Sequence, residues 1–188
     1  MPPQVLLISK EMCNAFVASS ELSIAVSDLT SKEKYKIAGR IMSLAGIVWA
    51  IDAGTKYWAL QDLVNHPVQL IPNFLYLFLG TNPGGSFGIP SQFMEFCLTM
   101  PATMVFIMAL WMRLQIKAGK SIPVLQQLGL GLLMGGALGN WSERVVHSGV
   151  TDFIYLQWFS SCIFNLADFS IDLGFLVLVF EAIKITIK

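Results

Sequence analysis

The residues best equipped for chemistry gather between positions 135 and 172, GGALGNWSERVVHSGVTDFIYLQWFSSCIFNLADFSID. Asp152 and Asp168 each stand beside apolar sequence. If the two carboxylates meet, repulsion and desolvation push one of them to keep a proton that the pair then shares. One carboxylate can activate a water while its protonated partner polarises a peptide carbonyl, which is aspartic-protease chemistry. Plainer roles compete. Asp168 suits the first turn of a helix, where a carboxylate gains about 0.3–1 kcal/mol from the dipole. Asn165 competes for the capping position, and Asp152 also reads as a loop residue. Asp172 lies one turn beyond Asp168 and deeper, further from water, so it ranks below Asp152 as a partner.

Other polar groups nearby have less specific signals. Arg144 can pair with Glu143, or hold a lipid headgroup or a loop backbone. Asn140 and Asn165 can satisfy loop backbone or hold substrate. His66 and His147 stand singly, with no H-E-x-x-H or paired-ligand spacing. Cys13, Cys97 and Cys162 are odd in number and scattered, which argues for buried thiols and against disulfides or a metal site. A serine nucleophile, from Ser142, Ser148, Ser160 or Ser161 with Lys56 as base, needs a close pairing that nothing in the sequence indicates.

The elements that must position these groups look embedded in a membrane. Of 188 residues, 55% are hydrophobic and 13% charged, and the mean hydropathy is +0.64. A soluble domain carries about 25% charged residues. Each crossing needs roughly 20 apolar residues, and four fit: 38–60, 92–112, 122–141 and 165–185. Asp52 and Lys56 share a face of the first and can pair there. Gly129, Gly131, Gly135, Gly136 and Gly139 thin the surface of the third, so other helices can pack closely. The segment Leu70–Leu79 is rich in strand formers and suggests a short strand or two on the membrane surface. Asn82, Gly84, Gly85 and Gly88 mark tight turns after it.

Basic residues set the orientation. Ten of the 12 fall before or at the start of the first span, between the second and third, or at or after the end of the fourth. Both termini are therefore expected in the cytoplasm. Residues 61–91 and 142–164 then face outward, and Asp52, Asn82, Asn140, Arg144, Asp152, Asn165 and Asp168 converge near the outer surface. Ionisable groups at such a boundary are expensive to keep and mark function. Twelve acidic residues balance the 12 basic ones, which gives no support to nucleic-acid binding. Residues 1–37 read as a cytoplasmic arm and not as a signal peptide, because Lys10 and Glu11 interrupt the only apolar patch. Residues 38–188 form the membrane domain.

Five blocks, in order, resemble the lipoprotein signal peptidase (signal peptidase II) family. D-A-G-T-K at 52–56 resembles Asp-x-x-Ser/Thr-Lys, and N-P-G-G-S-F at 82–87 resembles Asn-x-Gly-x-x-Phe. G-G-A-L-G-N-W-S-E-R at 135–144 resembles Gly-Gly-x-x-Gly-Asn-x-x-Asp-Arg. T-D-F at 151–153 and F-N-L-A-D at 164–168 resemble the family's Val-Asp-Phe and Phe-Asn-x-Ala-Asp.

The resemblance implies an all-α bacterial inner-membrane protein, with four transmembrane helices and a small extracytoplasmic β-sheet that cradles substrate. It implies an aspartyl endopeptidase; the chain is itself expected to use no cofactor or metal and to act as a monomer. Its substrates would be diacylglyceryl-modified prolipoproteins, cut just before the lipidated cysteine, with membrane phospholipid around it and globomycin-type peptides as inhibitors. Asp152 and Asp168 would be catalytic. Asp52, Lys56, Asn82, Gly84, Asn140, Arg144 and Asn165 would bind substrate or support the site. Glu143 departs from the family's aspartate, the 153–167 loop is short, and the arm is long. These departures motivate one alternative, an inactive relative that binds precursors without cutting them. A small transporter is a third reading, but it needs a polar path through mid-membrane that the second and third spans lack.

Overall fold

The structure is a computed structural model and describes residues 30–64, 66–82, 94–147, 149–158 and 163–186. Helix α1 is Ser31–Asp62, α2 is Met94–Lys117, α3 is Val124–His147 and α4 is Leu166–Thr186. Strands β1 (Val68–Ile71), β2 (Leu75–Asn82), β3 (Val150–Leu156) and β4 (Ile163–Phe164) complete it. The protein is thus mostly helical with one small antiparallel sheet.

Helix α1 begins at Ser31, inside the segment expected to be an arm. The reason is local. Thr30 and Glu33 form a capping box, each side chain bonding the other's backbone N–H. The 32-residue helix is long and apolar enough to cross a membrane. Helix α3 runs on to His147, beyond the end expected for the third span at 141, so Glu143 and Arg144 are helical and not in the outer loop, while Asn140 is helical as expected. The arm up to residue 29, Gly84, Gly85, Gly88, Cys13, Cys162, Ser148, Ser160 and Ser161 lie outside the described residues.

Helix α3 packs against all three other helices. Its glycines permit this. A Cβ on Gly136 would run into the carbonyl oxygen of Ala167 on α4. One on Gly139 would stand 2.5 Å from Asp52 Oδ2 on α1. At one end of the bundle, Ile37, Ile41, Ala45, Met112, Ile122, Leu130 and Met134 form an apolar core.

At the other end the sheet docks, in the order β1-β2-β3-β4. The Leu70–Leu79 segment supplies a hairpin, β1 and β2, turning at Asn73 with φ 56°, a region that asparagine tolerates. Strands β3 and β4 were not anticipated. Residues 150–153 are buried and 154–156 partly so, so the apolar/polar alternation that marks a one-sided strand is missing. Phe153 packs with Ala59 and Leu63, which pins β3 to the end of α1. Asp152 stands in β3 opposite Gly80 of β2, and is a strand residue where the sequence had suggested a loop.

Candidate active site

Asp168 occupies the third position of α4, and Asn165 caps that helix. The Asp168 N–H donates to Asn165 Oδ1 at 3.0 Å, and the Asn165 N–H donates to Asp168 Oδ2 at 3.2 Å. This reciprocal box fixes Asp168 at the helix entrance, where the dipole favours a negative charge. Asp52 reaches across from α1 and accepts the Ala167 N–H at 2.9 Å. Two otherwise unsatisfied N–H groups of the first turn are therefore bonded by side chains.

The two side-chain amides join the aspartates. Asn165 Nδ2 donates to Asp152 Oδ1 at 2.6 Å, and Asn140 Nδ2 donates to Asp168 Oδ1 at 2.7 Å. Asn165 Nδ2 also lies 3.1 Å from Asn140 Oδ1. Asn82, at the end of β2, hydrogen-bonds the Asp152 side chain. Burial, and next the Asp168 charge, push the Asp152 carboxyl up to about 6. The carboxylates expected to meet are thus close enough to feel each other's charge.

Beneath the pair sits Lys56, 4% exposed. Its ammonium contacts Asp52 Oδ2 at 2.7 Å, Asn140 Oδ1 at 2.9 Å and Glu143 Oε2 at 3.1 Å. A buried ammonium needs such neighbours, because an unpaired charge held away from water is costly. The expected Asp52–Lys56 pairing is present. Glu143 turns to Lys56 and to the Thr151 hydroxyl, which donates to Glu143 Oε1. Among the described residues it makes no ion pair with Arg144. Arg144 is close enough for its charge to act on Asp168. Its Nε is buried with no hydrogen-bond partner among the described residues.

The structure thus brings together Asp52, Lys56, Asn82, Asn140, Arg144, Asp152, Asn165 and Asp168. Asp172 is exposed on α4 and takes no part, and His66 and His147 are exposed. The Ser142 hydroxyl donates to the Gly139 carbonyl at 3.0 Å and accepts from Trp49 Nε1 at 3.1 Å, so its proton is not offered to Lys56. Thr151 is the one member of the network that the sequence reading did not single out. Its only signal there was adjacency to Asp152.

A carboxyl pair held by fixed amide donors, with one member raised above the ordinary carboxylate range, can hold a water and hand on protons. The donors are rigid because each carries a second bond.

Comparison with known proteins matches the chain to one family. The sequence pattern of Signal peptidase (SPase) II fits residues 44–184. The lipoprotein signal peptidase of Bartonella tribocorum is 34% identical over 142 residues, covering 73% of this chain and 83% of that protein. The Coxiella burnetii enzyme of the same name is 32% identical over 150 residues, covering 78% and 91%. That of Nostoc punctiforme is 30% identical over 156 residues, covering 80% and 94%. A bacterial membrane enzyme solved by the in meso method at 2.3 Å superposes with a TM-score of 0.69 at 29% identity, covering 79% of this chain and 90% of the other. A second, solved in the same way at 1.9 Å, gives 0.68 at 28% identity. On this combination of pattern, identity and fold, the chain belongs to the signal peptidase II family.

Proposed function

We propose that the chain is a lipoprotein signal peptidase, an endopeptidase that removes signal peptides from prolipoproteins, with Asp152 and Asp168 as its catalytic pair. The carrying observation is the joint suspension of the two carboxylates from Asn165 and Asn140. In the cleavage step, the ionised carboxylate takes a proton from water as the oxygen attacks the scissile carbonyl carbon. The protonated carboxyl donates to the carbonyl oxygen. The tetrahedral adduct then collapses: its C–N bond breaks, the leaving amine takes the proton that the first carboxylate gained from water, and a hydroxyl of the adduct returns its proton to the second carboxylate. Lys56 and Arg144 offset the negative charge of the cluster. Asn82 and Arg144 border the place where a peptide must lie, and Gly84 follows Asn82 in the chain.

All four helices cross the membrane in this reading. Support comes from large apolar side chains left facing outward, among them Phe106 at 68%, Leu176 at 62% and Phe180 at 61% exposed. The distribution of basic residues puts both termini in the cytoplasm and the carboxylates at the outer face of the bacterial inner membrane. The β1–β2 hairpin then lies along the outer surface as part of the substrate cradle. The substrate is a precursor carrying a diacylglyceryl group on the cysteine after the cut, the enzyme works as a monomer, and globomycin-type peptides block it. Incubating the purified chain with a diacylglyceryl-modified precursor and following release of the signal peptide tests the reading. The inactive alternative has no support, since Glu143 keeps the charge and neither carboxylate is lost.

A further inference from the structure

We infer that Glu143 and Thr151 form a clamp that sets the position of Asp152, so that Glu143 is a positioning residue for the proposed cleavage. The inference rests on the reading of Asp152 as catalytic. Glu143 is nearly buried, its side chain 11% exposed. One oxygen lies 3.1 Å from Lys56 Nζ and the other accepts the Thr151 hydroxyl. Thr151 is 6% exposed and directly precedes Asp152 in β3. Neighbouring residues of a strand point to opposite faces. Holding Thr151 toward α3 therefore fixes the rotation of β3 that aims Asp152 at Asn165.

These contacts close a ring. Lys56 bonds Glu143, Glu143 bonds Thr151, Thr151 precedes Asp152, Asp152 accepts from Asn165, Asn165 reaches Asn140, and Asn140 accepts from Lys56. Two side-chain bonds tie the strand into the α1, α3 and α4 framework: Asn165 holds Asp152 from the side of α4, and Glu143 holds Thr151 from the side of α3. The length of Glu143 matters here. A carboxylate one methylene shorter would draw back by up to about 1.5 Å, enough to release either Lys56 or Thr151.

The test separates clamping from simple charge balance. Thr151→Val keeps the β-branched shape and deletes the hydroxyl, Thr151→Ser keeps the hydroxyl, and Glu143→Gln removes the charge. With the full chain in detergent and a diacylglyceryl-modified precursor, Thr151→Val should lower kcat roughly tenfold, the scale of one hydrogen bond to a charged group. KM should stay within about twofold, and Thr151→Ser should restore kcat to within about twofold of the starting chain, since only the hydroxyl is at issue. Thermal unfolding of the two single variants and the Glu143→Gln/Thr151→Val double variant reads the contact without activity, and their effects should be non-additive. A Thr151→Val protein with unchanged kcat, or a Thr151→Ser protein as slow as Thr151→Val, overturns the clamp. Additive unfolding effects overturn it even if the starting chain cleaves nothing, a result that would count separately against the proposed function.

Discussion

Asn165 and Asn140 touch at 3.1 Å, and each spends another amide hydrogen bond on a different aspartate, Asn165 on Asp152 and Asn140 on Asp168. The asparagines come from the cap of α4 and the body of α3, so the spacing of the carboxylates is fixed by helix packing. Replacing Asn165 with alanine removes the cap and the Asp152 donor together. A lost cap costs about 0.5–2 kcal/mol. The expected outcome is a modest fall in unfolding temperature and a much larger fall in kcat, read by thermal scanning beside precursor cleavage.

Lys56 is the counter-ion for two carboxylates, the buried Asp52 and the nearly buried Glu143. Lys56→Met leaves both uncompensated, and breaking a buried pair from one side costs about 3–5 kcal/mol. Chemical denaturation in mild detergent should show that loss. A variant as stable as the starting chain would mean that Asp52 and Glu143 do not depend on Lys56.

Asp152 ties stability to pH with a sign opposite to that of a salt-bridged carboxylate. Its carboxyl rises from 3.8 to about 6 in the folded protein. Between those values the folded state holds more protons than the unfolded state, so stability falls as pH rises through that window. Asp152→Asn should be more stable than the starting chain near neutrality and should lose this part of the pH dependence. Unfolding temperatures taken on either side of the window check it.

Gly139 lets α1 and α3 close around the site. A Cβ there would meet Asp52 Oδ2 at 2.5 Å and the Ala167 Cβ at 3.3 Å. Gly139→Ala is expected to cost about 1–3 kcal/mol through overpacking and to slow cleavage, because Asp52 holds the first turn of α4.

Much of the site was legible in the sequence. Asp52 and Lys56 are one helical turn apart, so local geometry alone paired them, whereas Asn165 and Asp168 read as rivals for one cap and in fact cap reciprocally. The glycines of α3 announced close packing. What stayed hidden was non-local. The partners of Glu143 are Lys56 on another helix and Thr151 on a strand, and no local pattern marks either. Strand β3 escaped because its first residues are buried on both faces, which erases the alternation that marks a strand. The expected end of α3 falls short of His147 because Glu143 and Arg144 look like loop chemistry until Lys56 and Asp168 are seen beside them.

The central claim is that Asp152 and Asp168 together perform the cleavage. It is tested most directly by measuring signal-peptide release from a diacylglyceryl-modified precursor by the purified chain and by Asp152→Asn and Asp168→Asn. Each variant should insert and fold while kcat falls by at least about a hundredfold, the lower bound for losing a general acid or base. Release at the unmodified rate by either folded variant would contradict the account.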